Sequence, residues 1–179
     1  MIRIGIVDDH AVVRAGLRQY LADHVDLRVT GEATNGAEAL ELARGGEVDV
    51  LLLDISMPDQ SGVDALKAIK TRFPDLAVLI LSGFPEAHYA TNLLRLGASG
   101  YLNKECEPDE IVLAIRTVSM GRKYISQAVA TLLAEGVAGG LDRPPHELLS
   151  ERELQVFLRL AKGETIGAMA EAMFLSVKT

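Results

Sequence analysis

The chain has 179 residues, enough for one full domain and part of a second. Its net charge is −7 and its Lys and Arg residues are scattered, so total charge gives no support to nucleic-acid binding, although a small DNA-binding module fits inside that average. A single cysteine, Cys106, excludes an intramolecular disulfide and a Cys-rich metal site, while the absence of a signal peptide and of any apolar stretch long enough to span a membrane sets a cytoplasmic location as the expectation.

Residues 2–7, IRIGIV, read as a strand that runs straight into Asp8, Asp9 and His10. Val13, Leu17, Tyr20 and Leu21 then recur at helical spacing, which predicts a helix over residues 11–22. Residues 28–33 form a short second strand. Residues 35–44 form a second helix, with Asn35 as its cap and Gly45–Gly46 as its stop. The sequence VDVLLLDISMP, residues 48–58, is the centre of the pattern. Its continuous apolar run suits a strand buried on both faces, and it ends abruptly in Asp54. A helix over residues 62–72 follows. The fourth strand, 77–81, delivers Ser82, and a helix over 86–96 stops at Gly97. A short strand at 100–103 carries Tyr101 and leads to Lys104. The fifth helix, 107–120, turns Ile111, Ile115 and Val118 inward.

Five strands alternating with five helices imply an α/β fold, a mostly parallel sheet covered on both faces. The flavodoxin-like, doubly wound order 2-1-3-4-5 is expected, with its switch point between the first and third strands. Beyond Gly121 the character changes. Residues 124–135 suit a helix and 136–145, GVAGGLDRPP, a linker. Ser150-Glu151-Arg152-Glu153 is a capping box that opens a helix to about residue 161. Thr165 caps another to about residue 173, and Ser176 opens a third just before the sequence ends at Thr179.

The strand ends converge. Asp8 and Asp9, Asp54, Ser82 and Lys104 leave the first, third, fourth and fifth strands at the same edge of a parallel sheet. Each has an ordinary reading alone: Asp8 and Asp9 as caps of the first helix, Asp54 as a cap or turn former, Ser82 and Lys104 as loop and surface residues, Tyr101 as a strand aromatic. Together they describe a site. Three carboxylates at one point repel unless a cation sits among them, and an oxygen-rich set in a surface cleft suits a hard divalent ion such as Mg²⁺. One carboxylate is then free to attack phosphorus and form an aspartyl phosphate, with the metal and Lys104 offsetting charge and Ser82 hydrogen-bonding a phosphoryl oxygen. His10 reads as a residue that shapes the acidic loop. His24, His88 and His146 lack metal-ligand spacing, and Cys106 reads as a small buried or loop residue.

These residues carry a family resemblance. IGIVDDHAVVRAGL, residues 4–17, resembles the opening of the response-regulator receiver domain, and its DDH-x-x-x-R-x-G-L pattern is similar to the NarL/FixJ branch. LLDISMPDQSG, residues 52–62, resembles the phosphorylation loop, residues 81–83 the switch serine, and GYLNK, residues 100–104, its aromatic and lysine. The resemblance implies a phosphorylation-controlled two-component regulator that is not an enzyme beyond assisting its own phosphotransfer and dephosphorylation. It implies Asp54 as phosphoacceptor, and Asp8, Asp9, Asp54 and the Ser56 carbonyl as Mg²⁺-site residues. It implies Ser82 and Tyr101 as the switch, the Ser82 hydroxyl drawn toward the phosphate and Tyr101 following into the vacated space. A histidine kinase or phosphotransfer protein would be the donor, and a homodimer through the first and fifth helices is expected. Residues 149–179 resemble the start of a LuxR-type helix-turn-helix, which implies promoter DNA as a partner.

The expected organisation is therefore a receiver over residues 1–121, a linker with one helix over 122–147, and a helix-turn-helix over 148–179 that is truncated before its recognition helix. Lys178 and Thr179, in the opening turn of that helix, are the DNA-binding candidates. The sequence TIGAMA, 165–170, departs from the polar pattern of the family and removes phosphate contacts. It leaves room for an alternative: a receiver-based interaction regulator that acts without sequence-specific DNA binding. An aspartyl-nucleophile phosphatase would need a second Asp where Ser56 stands, and in a flavodoxin Asp8–Asp9 would repel the flavin phosphate.

Overall fold

The computed structural model describes residues 1–57, 62–83, 86–127 and 129–131, with positions 156, 165 and 167; for residues 86–88 only the backbone is described. The chain divides into two units, Met1–Ala138 and Gly139–Thr179. In the second, Val156 and Gly167 are helical. Thr165, expected to cap the second helix there, is exposed and not helical; the rest of the expected helix-turn-helix, Lys178 and Thr179 included, lies outside the described residues, as does His146.

The first unit alternates strand and helix: β1 (Ile2–Val7), α1 (Ala11–Ala22), β2 (Leu27–Ala33), α2 (Gly36–Gly45), β3 (Val50–Asp54), α3 (Gly62–Arg72), β4 (Ala77–Ser82), α4 (Glu86–Arg95), β5 (Gly100–Asn103) and α5 (Pro108–Ser119). All strand pairs are parallel and the order is β2-β1-β3-β4-β5. This is the expected flavodoxin-like order. The central strands β3 and β4 are buried at every position, which is why their sequences show no polar alternation. Edge strand β2 alternates instead. On one face Ile4, Ile6, Val50, Leu52, Leu79, Leu81 and Leu102 pack against Leu21 of α1 and Ile111, Ile115 and Val118 of α5. Each fully buried aliphatic side chain there contributes about 1.5–3 kcal/mol.

Local signals set the helix ends. The Asn35 side chain accepts the Glu38 N–H at 3.0 Å, and Gly46, at φ 67°, closes the other end of α2 in the left-handed region. Pro108 occupies the first turn of α5.

One expected element begins later than its sequence suggests. Tyr124 is not helical: it pairs in parallel with Gly100, and its N–H donates to the Ser99 carbonyl at 2.8 Å. Gly100 permits this approach, since a Cβ there would lie 2.9 Å from the Tyr124 carbonyl oxygen. The Tyr124 hydroxyl also donates to Glu110 at 2.7 Å. Helical backbone starts at Gln127, and Val129 is buried. Tyr124 thus pairs with the start of the free edge of β5.

Candidate functional site: an acidic edge bridged by a lysine

Register brings the site together. Val7 pairs with Leu53, Asp54 with Leu81, and Ser82 with Asn103, so the next residues of each strand leave the sheet at one edge. Asp8 and Asp54 are 2% and 1% exposed, and Ser82 is fully buried. Burial of two carboxylates this close demands compensation. Lys104 supplies it: its Nζ donates to Asp8 Oδ2 and to Asp54 Oδ2, both at 2.7 Å. The Lys104 N–H donates to the Ser82 carbonyl at 2.8 Å, which fixes the start of that side chain. The Ser56 N–H donates to Asp54 Oδ1 at 2.9 Å.

The electrostatics follow. Burial pushes the Asp54 carboxyl above its ordinary pKa, against the opposing pull of Lys104 and the Ser56 N–H. Burial also disfavours the Lys104 ammonium, but its hydrogen bonds to Asp54 and Asp8 outweigh that and raise its pKa.

Asp8 does not cap α1. Its Oδ1 accepts the N–H of His10 at 2.8 Å, and α1 begins after His10 without a side-chain cap. Geometry explains this: both Asp8 oxygens are already engaged at the strand end. His10 shapes the loop as expected, with Nδ1 3.1 Å from Asp8 Oδ1 and 2.9 Å from Asp9 Oδ1. Asp9 Oδ1 is buried and, among the described residues, makes no hydrogen bond; the His10 contact is an ion-pair distance only. Ligand atoms of Asp8, Asp9, His10 and Asp54 all lie within 4.8 Å of one another. Three carboxylates lie together here, only two of them bonded to the lysine, and one buried oxygen of the third lacks a hydrogen bond. That donor set fits a hard divalent cation.

Tyr101 is fully buried and pairs directly with Ile80, two positions before Ser82, so Tyr101 and Ser82 lie on the same face of the sheet. Ser56 is half-buried beside Asp54. Cys106 is half-buried against the core, and His24 packs edge-on against Tyr20 at 5.4 Å. The His88 side chain and residues 58–61 lie outside the described residues.

Two residues at the site were not singled out by the sequence. A Cβ on Gly62 would lie 2.5 Å from the Asp54 carbonyl oxygen, so only glycine lets α3 start against the Asp54–Ile55 backbone. Arg14 Nη1 donates to the Asp8 carbonyl at 2.7 Å. The only sequence signals were a glycine at a helix start and the arginine of the DDH-x-x-x-R pattern.

Residues 4–116 match the family described as the response regulator receiver domain. The chain belongs to that family. It is a two-component response regulator of the NarL/FixJ type. It is 38% identical to "Response regulator UvrY" of Escherichia coli K12 over all of this chain and 83% of that protein. It is 37% identical to "Response regulator GacA" of Pseudomonas aeruginosa over all of this chain and 84% of that one. Among solved structures, a LuxR-family regulator from Aurantimonas has a TM-score of 0.70 at 32% identity, covering 76% of this chain and 97% of that one. RcsB of Salmonella enterica bound to the promoter rprA has a TM-score of 0.66 at 26% identity, covering 99% of this chain and 85% of that one. Among the described residues no helix is long and apolar enough to cross a membrane.

Proposed function

We propose that this response regulator is controlled by phosphorylation of Asp54. The observation that carries the reading is Lys104, whose ammonium joins buried Asp54 to buried Asp8 beside the unbonded Asp9 oxygen. Asp8, Asp9, Asp54 and the Ser56 carbonyl would hold Mg²⁺. When bound, that ion supplies neutralisation of phosphoryl oxygens.

The chain's own residues do the rest. The Asp54 carboxylate forms the new O–P bond as the P–N bond of a phosphohistidine donor breaks, its electron pair leaving on the imidazole nitrogen. The donor is a histidine kinase or phosphotransfer protein. Lys104 is held in place by its own N–H on the Ser82 carbonyl, and it balances the charge on the phosphoryl group. The Ser82 hydroxyl donates to a phosphoryl oxygen. Tyr101, on the same face, follows it, and the surface of α4, β4 and β5 shifts between two packings.

Output is regulation of transcription through the helix-turn-helix of residues 148–179, joined to the receiver of residues 1–121 by the linker 122–147. The likeness to promoter-bound RcsB over nearly the whole chain supports it. Lys178 and Thr179 are its DNA contacts. Dimerisation uses α1 and α5, where Val12 and Leu113 are 85% and 57% exposed. The protein works in the cytoplasm and catalyses nothing beyond its own phosphotransfer and dephosphorylation.

Intact mass before and after a small-molecule phosphodonor with Mg²⁺ tests the reading. One phosphoryl group is gained by the wild type and none by Asp54→Asn. An equal gain in both would remove Asp54 from the role.

A further inference from the structure

Arg14 makes contacts that the chemistry above does not use. It is the arginine of the DDH-x-x-x-R pattern and the fourth residue of α1. Helical side chains lean toward the N-terminus, so a long one here runs back over the acidic loop. Its Nη1 donates to the Asp8 carbonyl at 2.7 Å and its Nε to Glu32 Oε2 at 3.2 Å. Glu32 lies in β2, opposite Ile6. The Asp8 N–H donates to the Ala33 carbonyl at 3.1 Å. The backbone of Asp8 is thus gripped at its N–H by the end of β2 and at its carbonyl by α1.

Two comparisons separate this grip from an ordinary surface pair. Arg18, one turn later, donates to the other Glu32 oxygen at 2.8 Å, but it is 60% exposed and its hydrogen bond goes to Glu32, away from the acidic loop. The Arg14 side chain is only 15% exposed. Each arginine takes one Glu32 oxygen, so the second contact of Arg14, to the Asp8 carbonyl, is what distinguishes it. The acceptor also matters. By bonding the carbonyl, Arg14 leaves both Asp8 carboxylate oxygens to His10 and Lys104. The described donors of Arg14 go to this carbonyl and to Glu32, and none goes to the carboxylate oxygens of the acidic pair.

We infer that Arg14 is a positioning residue: with Glu32 it fixes the Asp8 backbone and holds the acidic pair at the spacing that takes the divalent cation. This rests on the reading of Asp8, Asp9 and Asp54 as the cation site. Partners that orient metal ligands from behind are worth 10–100-fold in affinity when removed.

The test is calorimetric titration of the full chain with Mg²⁺, with thermal melting of each metal-free variant alongside. Arg14→Gln weakens Mg²⁺ binding about tenfold, and Arg14→Lys, which keeps the charge and one donor, by roughly threefold. Arg18→Gln binds as the wild type does. With a small-molecule phosphodonor, the Arg14→Gln defect lies in the Mg²⁺ concentration for half-maximal phosphorylation, and the maximal rate is recovered at saturating Mg²⁺. A residue that only stabilised the fold would shift melting and leave both Mg²⁺ readouts unchanged. Mg²⁺ affinity within twofold of wild type in folded Arg14→Gln overturns the inference, as does an equal loss in Arg18→Gln. If Arg14→Gln does not melt cooperatively, Arg14→Lys decides, and wild-type affinity there overturns it. Absence of saturable Mg²⁺ binding by the wild type, or its survival in Asp9→Asn, overturns the cation-site reading itself and this inference with it.

Discussion

Two carboxylates at opposite ends of the sheet show how little a contact distance says by itself. Asp54, at the C-terminal edge, meets the Lys104 ammonium at 2.7 Å. Asp26, just before β2 at the other edge, meets Arg116 through two hydrogen bonds of 2.8 Å. The pKa values move in opposite directions. Asp26 falls to about 2 because the guanidinium bonds dominate in a half-open setting. Asp54 rises because burial outweighs the lysine. One pair is a brace. The other is a charge held in a buried setting, where burial outweighs the lysine, as the proposed phosphoacceptor role of Asp54 would require. Acidification therefore acts oppositely on them. Protonation relieves the burial cost at Asp54 as pH falls through its raised value. At Asp26 it removes support as pH falls below the ordinary value.

The comparison breaks most visibly at Lys104. In Lys104→Met two buried carboxylates lose their shared cation, a change that costs about 3–5 kcal/mol where a buried pair loses one partner. Urea unfolding without metal reads that loss, and Mg²⁺ restores part of it. The raised Lys104 pKa sets the sign: its contribution is fully present below the ordinary lysine value of 10.5 and fades as pH rises through the raised one. A loss under about 1 kcal/mol would place Lys104 with the surface braces.

Gly62→Ala probes the same edge through backbone alone. The added Cβ meets the Asp54 carbonyl at 2.5 Å, backbone that has no flexible end to swing away. Overpacking of this kind costs about 1–3 kcal/mol. Because the displaced atoms belong to Asp54 and Ile55, phosphoryl uptake at fixed Mg²⁺ slows as well. Unchanged uptake with lowered stability would mean that the Asp54 carboxylate position does not depend on the loop's closure against α3.

The contrast also explains what was legible beforehand. The apolar runs of β3 and β4 revealed a sheet buried on both faces, and a parallel sheet sends successive strand ends to one edge. Asp8, Asp54, Ser82 and Lys104 could therefore be grouped from sequence. What escaped depends on contacts between residues far apart or on backbone atoms. Tyr124 suits a helix by pattern, yet it is recruited by the open edge of β5 opposite a glycine. Arg14 is visible in the sequence only as the arginine of the DDH-x-x-x-R pattern, and β2 brings Glu32 to it across 18 positions. Asp8 suits a helix cap until Lys104, 96 positions away, claims its second oxygen. Residues 148–179 were read by resemblance, and the similarity to full-length regulators extends through them.

The smallest effect is expected at the brace. Asp26 and Arg116 are each 41% exposed, so solvent and salt screen their attraction and the pair adds little at neutral pH. Its signature is in acid. A carboxyl whose folded pKa is depressed supports the fold above its ordinary value of 3.8 and loses that support as pH falls through about 2. Asp26→Asn should therefore flatten the fall in stability between those two values and leave phosphoryl uptake unchanged, since Asp26 lies at the other end of the strands from Asp54. Carbon-detected NMR titration of the Asp26 carboxyl measures the shift directly. A midpoint at or above 3.8 would show that Arg116 does not hold it in solution, and the contrast with Asp54 would then reduce to burial alone.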